Sequence, residues 1–249
     1  MNVSSENISA VILAGGFGTR IKHLLGDLPK PMAPVNGKPF LEWVVRWLAA
    51  QNIRRVILST GHLSEVIEKH FAPQPVAGVT VSCVPETTPL GTAGGFINAV
   101  QQSKTNSAAW FLLNGDTLAF ANLADAIREL QKDSTAGVIF GREVPDTSRY
   151  GSLVSDANGN LSCFAEKRPG QGVISTGVYL FRDALVKKFS EQRPLSLESE
   201  VFPALTAAGE SLKVLRIHAP FLDIGTPDTL READFFIQQN IAQFQIEPV

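Results

Sequence analysis

Residues 10–20 read Ala10-Val-Ile-Leu-Ala-Gly-Gly-Phe-Gly-Thr-Arg20, and Lys30-Pro31 follows a short way on. The apolar run from Ala10 to Leu13 has the character of a strand buried on both faces, as in a parallel sheet. Behind it Gly15, Gly16 and Gly18 let the backbone turn sharply and approach a ligand with no Cβ in the way. Successive N–H groups in such a turn form an anion-binding nest. Arg20 and Lys30 place two positive charges beside it. A strand, a glycine turn and two cations, in that order, outline a phosphate site.

Working outward, the strand is the first of several. Short apolar, β-branched runs recur at 10–14, 55–60, 79–84 and 109–113, with helical patterns between them at 39–51, 62–71 and 93–103. In the first of these helices Phe40, Leu41, Val44, Val45 and Leu48 keep the spacing of one buried face. Repeated strand–helix units predict an α/β fold: a Rossmann-like, three-layer, mostly parallel sheet with helices on both faces. Ligands in such sheets sit beyond the carboxyl ends of the strands. The glycine turn after strand 10–14 and Asp116 after strand 109–113 both fall at that edge, which argues for one shared site.

The second half is richer in β-structure. Gly151 to Val154 and Leu161 to Ala165 flank a turn whose Asn158-Gly159 is a strong hairpin signal. A strand from Val173 to Phe181 follows, then helical stretches near 183–190 and 197–208, a strand at 212–217 and a final helix over 227–240. The chain reads as a single domain, with a strand–helix half over about 8–120 and a smaller, β-rich half over about 121–240.

Two familiar phosphate motifs fail on the residues. A P-loop requires Gly-Lys-Ser/Thr, whereas Gly37-Lys38 is followed by Pro39. A dinucleotide fingerprint requires a third glycine where Ile21 stands, so an NAD-binding module is disfavoured. Taken alone, the glycines could also be a plain turn after a strand.

Composition excludes other classes. Among 249 residues, 44% are hydrophobic and the net charge is −2, so no basic field draws the chain to nucleic acid. Apolar runs fall far short of the roughly 20 residues a membrane helix needs, and residues 1–9 lack the features of a secretory signal, so a cytoplasmic protein is expected. Cys83 and Cys163 read as inert thiols. His23, His62, His70 and His218 show no zinc-ligand spacing.

With Pro89-Leu-Gly-Thr-Ala-Gly94, Asn114-Gly-Asp116, Glu166-Lys167, Ser175-Thr-Gly177 and Phe221-Leu-Asp-Ile-Gly225 following in order, the chain resembles the sugar-1-phosphate nucleotidylyltransferases over about residues 8–235. Within that family, Asp27-Leu-Pro-Lys-Pro-Met-Ala-Pro-Val35 and Gly37-Lys-Pro-Phe-Leu-Glu42 look most like the D-glycero-D-manno-heptose 1-phosphate guanylyltransferases. The resemblance implies a nucleotide-diphospho-sugar transferase (GT-A-like) fold. It implies attack of a sugar 1-phosphate on the α-phosphate of an NTP, with GTP and a heptose 1-phosphate as substrates. No nucleic acid or membrane partner is implied, a homo-oligomer is compatible, and the C-terminal β-helix of some relatives is not expected.

The same resemblance assigns roles. Arg20 and Lys30 would grip the triphosphate, and Lys167 the attacking sugar phosphate. Leu13, Ala14, Gly15, Gly16, Gly18, Thr19, Gly91, Thr92 and Asn114 would contact the nucleotide. Glu86 stands where relatives carry a base-reading side chain. A carboxylate only accepts, which suits the N1–H and N2–H₂ donors of guanine. Gly151, Glu166, Thr176 and Gly177 match sugar-binding positions, although Ser175 replaces a frequent asparagine and Arg168 intervenes before Pro169. Asp116 and Asp223 are the candidate ligands of Mg²⁺, an ion usually held by one or two carboxylates plus phosphate oxygens and water. Mannose 1-phosphate or glucose 1-phosphate are alternative acceptors. A rival of another class is a non-catalytic homologue that binds a nucleotide sugar and regulates a partner.

Overall fold

The computed structural model describes residues 5–165 and 169–245. Its strands are β1 (Ile8–Leu13), the two-residue pair β2 (Pro34–Val35) and β3 (Lys38–Pro39), β4 (Arg55–Thr60), β5 (Thr80–Pro85), β6 (Ala109–Asn114) and β7 (Thr117–Ala119). Then come β8 (Gly137–Val144), β9 (Ser152–Ser155), β10 (Leu161–Ala165), β11 (Gly172–Arg182), β12 (Leu212–Ile217) and β13 (Phe221–Asp223). The helices are α1 (Lys22–Leu25), α2 (Phe40–Ala50), α3 (Ser64–Phe71), α4 (Thr92–Gln102), α5 (Leu123–Leu130), α6 (Asp183–Val186), α7 (Phe202–Ala207) and α8 (Pro227–Gln239).

β1 lies inside a nine-stranded sheet ordered β10-β9-β11-β6-β1-β4-β5, with β8 also pairing β11 and β12 pairing β8. Alternation along β1 explains its buried run: Ile8, Ala10 and Ile12 enter the core on one face, and Val11 the core on the other. Trp43, Trp47 and Phe111 fill the first core; Trp110, Phe96 and Phe181 fill the second. Helices therefore cover both faces, as expected. Each large side chain fully buried there contributes roughly 1.5–3 kcal/mol.

The β1, β4, β5 and β6 block is parallel, as the strand–helix alternation predicts. β11 departs from it, running antiparallel to both β6 and β8, so the sheet is mixed and continues without a break into the second half. Residues 117–150, to which no element was assigned from sequence, form β7, α5 and β8. α5 does carry a local signal: Asn122 caps Ala124 N, and Leu123, Ala126 and Leu130 make one buried face. α3 starts at Ser64 because Leu63 adopts a left-handed conformation at φ 58°. The expected helix at 197–208 is split into a π turn, Leu197–Val201, and α7, whose first turn contains Pro203. Among the described residues, no helix is long and apolar enough to cross a membrane.

Candidate active site

The carboxyl ends of the parallel strands open onto a cleft of about 760 Å³. It is walled by the turn after β1, Gly61 and His62 after β4, residues 86–92 after β5, Asn114 and Asp116 after β6, and Gly225 after β13. Leu13, Gly15, Gly16, Gly18, Thr19, Arg20 and Lys30 all line it, so the glycine turn and both cations converge as the sequence implies. Ala14 is buried behind the wall and donates its N–H to Ser59 O at 2.8 Å. Gly18 is required by contact and by conformation. Its φ is +57°, and a Cβ there would lie 2.7 Å from Lys30 Cβ. The turn is thereby pressed against the lysine it shares the site with.

Asp116 and Asp223, distant in sequence, are brought side by side by a two-strand ladder. β7 and β13 pair antiparallel with Thr117 opposite Asp223, and Ile224 N donates to Asp116 O at 3.0 Å. Lys30 Nζ sits between the carboxylates, 2.5 Å from Asp116 Oδ2 and 3.7 Å from Asp223 Oδ1. The Thr117 hydroxyl donates to Asp116 Oδ1 at 3.0 Å. Asp223 Oδ1 is buried without a hydrogen-bond partner. Burial, and then the charge of Asp116, push the Asp223 carboxyl above its ordinary range, with Lys30 opposing. A Cβ on Gly225 would lie 2.7 Å from that orphaned oxygen, so only glycine leaves room there.

These features fit a hard dication. A buried carboxylate oxygen that accepts no hydrogen bond stands beside a second carboxylate, over a glycine that leaves space. Among the described residues no three His, Cys, Asp or Glu side chains gather as a metal cage. Two carboxylates with phosphate and water completing the shell is the arrangement Mg²⁺ favours.

Glu86 lines the cleft but is also firmly tied. Its Oε1 accepts from the Ser59 hydroxyl at 2.9 Å and its Oε2 from Leu90 N at 3.1 Å. A Cβ on Gly95 would come within 2.5 Å of Oε1, so that glycine makes room for the carboxylate. Gly91 and Thr92, the neighbouring residues expected to contact the nucleotide, also make contacts that the sequence did not indicate. The Thr92 hydroxyl donates to Glu198 Oε2 at 2.9 Å and accepts from Leu197 N at 2.8 Å. Ala93 N and Gly94 N both donate to Leu195 O. The N-terminus of α4 is thus capped by a segment from the second half. Gly91 and Thr92 remain at the cleft wall, with the Thr92 side chain turned to that segment. Nothing local in the sequence announces this partner.

On the opposite side Gly177 (φ +72°) packs its backbone on Asn114, whose Nδ2 would be 2.5 Å from a Cβ. The pairing of β11 shifts register between Ser175 and Tyr179, where Ser175 Oγ lies 2.8 Å from the Tyr179 hydroxyl. The Thr176 hydroxyl is buried and donates to Phe140 O at 3.0 Å, so its side chain serves the sheet. Gly151 O accepts from Ser175 N at 3.1 Å, and a Cβ on Gly151 would strike the Phe164 ring at 2.3 Å. Glu166 and Lys167 lie outside the described residues. The sequence reading gave no role to Arg142, Arg149, Tyr150 or Phe221, which cluster near Asp223. Arg149-Tyr150 directly before Gly151 was the available signal.

Residues 9–240 match the nucleotidyl transferase family. Mannose-1-phosphate guanylyltransferase of Mycobacterium tuberculosis is 34% identical over 91% of this chain and 63% of its own length. The chain thus spans under two thirds of such relatives. D-glycero-alpha-D-manno-heptose 1-phosphate guanylyltransferase of Campylobacter jejuni is 34% identical over 89% of this chain and 96% of its own length. The crystal structure of HddC from Yersinia pseudotuberculosis complexed with GMP-PN superposes with a TM-score of 0.79 at 32% identity, covering 91% of this chain and 98% of that one.

Proposed function

The chain belongs to the nucleotidyl transferase family, and on that premise we propose that it transfers a guanylyl group from GTP to a sugar 1-phosphate, releasing pyrophosphate. The acceptor in this reading is D-glycero-D-manno-heptose 1-phosphate. The likeness of residues 27–35 and 37–42 to the heptose enzymes, with the 34% identity to the Campylobacter relative, supports the heptose. Equal identity to the mannose-1-phosphate enzyme keeps mannose 1-phosphate as the second reading.

The observation that carries the proposal is the meeting of a glycine turn, two cations and two carboxylates at one strand edge. A phosphate monoester is largely a dianion at neutral pH, its second pKa being about 6, so the nucleophile needs no general base. The obstacle is repulsion between that dianion and a triphosphate. At 4 Å each unit pair costs about 4 kcal/mol at an effective dielectric of 20. Positioned positive charge and in-line alignment are then the main catalytic contributions.

Each residue has a task in this scheme. The N–H groups of residues 15–18 would cradle the triphosphate, with Arg20 on the rim neutralising the leaving pyrophosphate. Lys30, already anchored on Asp116, would direct its charge at the α-phosphate. Asp116 and Asp223 would hold Mg²⁺, which when bound supplies further charge neutralisation at the reacting phosphates. Glu86 retains lone pairs for the N1–H and N2–H₂ edge of guanine while staying held by Ser59 and Leu90.

A grid of NTPs against sugar 1-phosphates, with pyrophosphate release as readout and magnesium present or absent, tests the proposal. One strong magnesium-dependent combination, GTP with heptose 1-phosphate, is expected. Best activity with mannose 1-phosphate would move the acceptor to the second reading, and a silent grid would remove the enzymatic reading altogether.

Two substitutions probe the nucleotide side. Arg20→Ala is expected to raise KM for GTP about 10–100-fold, the effect of losing one charge-assisted contact to phosphate. An unchanged KM would place Arg20 outside the triphosphate site. Glu86→Gln should reduce the kcat/KM preference for GTP over UTP about tenfold, because an amide presents a donor where guanine also donates. A lowered Tm with the preference intact would leave Glu86 only its role in bracing the loop.

A further inference from the structure

Near the carboxylate pair, and not among the residues that wall the cleft, stands a cluster to which no role has been given. The centre of the Arg142 guanidinium lies 5.8 Å from the centroid of the Phe221 ring. That of Arg149 lies 5.5 Å from the centroid of the Tyr150 ring. The two rings meet edge to face, 5.8 Å between centroids and 74° between planes. Phe221 and Asp223 are two residues apart on β13, so their side chains leave the same face of that strand. Both guanidiniums exert their charge on the Tyr150 hydroxyl, and Arg149 also acts on Asp223.

Neither arginine has a carboxylate within ion-pair distance among the described residues; the cations of the site that do are Lys30, on Asp116 and Asp223. Stacking on an aromatic face explains why one exposed guanidinium rests where it does, at about 0.5–1 kcal/mol. It does not explain two of them on one ring pair with no carboxylate partner among the described residues, since like charges brought together repel. An anion placed between them relieves that repulsion. A guanidinium is planar, permanently charged and shaped to bind phosphate oxygens in pairs. The two rings hold both forks in place before any ligand arrives, which reduces the ordering cost of binding.

We infer that Arg142 and Arg149, seated on Phe221 and Tyr150, form the receptor for the phosphate of the acceptor substrate. This rests on the proposed nucleotidyl transfer and adds to it the groups that hold the nucleophile. A dianion gripped here stands near Asp223, outside the residues that wall the cleft of the glycine turn. The acceptor phosphate and the triphosphate are thus bound by separate sets of cations, Arg142 and Arg149 on one side, Arg20 and Lys30 on the other.

The test uses the full chain with GTP and the most active acceptor found in the grid. Arg142→Ala and Arg149→Ala are each expected to raise KM for the sugar 1-phosphate about tenfold or more, leaving KM for GTP within about twofold. Arg→Lys variants should recover part of the loss, which separates lost charge from lost fold. Inorganic phosphate and the unphosphorylated sugar serve as inhibitors competing with the acceptor. Inhibition by phosphate should weaken in both alanine variants while inhibition by the neutral sugar stays as in the parent. An unchanged acceptor KM overturns the inference, as does an equal rise in KM for GTP or an equal loss of inhibition by the neutral sugar. A parent silent with every sugar 1-phosphate removes the nucleotidyl-transfer reading and the inference with it. An active parent whose variants keep their acceptor KM removes the inference alone.

Discussion

Asp223→Asn is expected to lower kcat by about 10²–10³-fold, the range seen when one preorganised electrostatic group is taken from a reacting centre, with Tm at or above that of the parent. The two halves of this result have one cause. Asp223 is half-buried, its Oδ1 is fully buried with no hydrogen-bond partner, and Asp116 stands beside it. Its carboxyl is therefore held above the ordinary range in the folded state. A carboxyl with a raised folded pKa contributes stability that is fully present below its unfolded pKa, near 4, and lost as pH rises through the folded value. At neutral pH the ionised side chain is thus a cost to the fold, and the neutral amide removes it. Lys30 keeps its 2.5 Å contact with Asp116, so no cation is left stranded. Thermal unfolding at pH 7 together with pyrophosphate release would decide the matter. A variant that retained a tenth of parental turnover would take Asp223 out of the reacting centre. One that lost several degrees of Tm would show that its carboxylate supports the fold. Asp116→Asn should lose comparable turnover but also stability, because Asp116 pairs Lys30 and accepts from Thr117.

The second large effect falls on structure. Gly91→Ala should lower Tm by about 6–12 °C, from a loss of about 3 kcal/mol at roughly 2–4 °C per kcal/mol for a chain of this size. Gly91 has φ 77° and ψ 170°, a region essentially reserved for glycine and worth about 1–3 kcal/mol to any other residue. A Cβ would also lie 2.5 Å from Leu195 O, a backbone atom that cannot rotate away. That same carbonyl accepts from Ala93 N and Gly94 N, each bond contributing about 0.5–1.5 kcal/mol. Separating the two backbones would loosen the start of α4 and, through Leu90 N, the grip on Glu86. GTP binding should weaken along with stability. Gly94→Ala is the matched control, since its Cβ would meet the movable Arg193 side chain at 2.8 Å. Equal Tm losses in the two variants would show that the crossing at Leu195 is not what makes Gly91 necessary.

The sequence was informative wherever burial or backbone conformation leaves a local mark. The strand at β1 was legible because both its faces are buried. The turn behind it was legible because positive φ and close approach admit little besides glycine, as at Gly18. α2 and α4 announced themselves through a periodic apolar face. Family motifs then named Asp116 and Asp223 as partners, but no spacing in the chain could set them beside Lys30. That required β7 to pair with β13 across a hundred residues of intervening chain. In the same way, the Thr92 hydroxyl belongs to Glu198, the Thr176 hydroxyl to Phe140 O, and the Arg142 guanidinium to the Phe221 ring on another strand. Even β8, apolar but assigned no element from sequence, takes its direction from β11 and β12 rather than from its own residues. Local sequence encodes which atoms avoid water and which torsions are open. Which distant group satisfies a given donor, acceptor or charge is settled when the sheet closes and leaves each of them a single neighbour within reach.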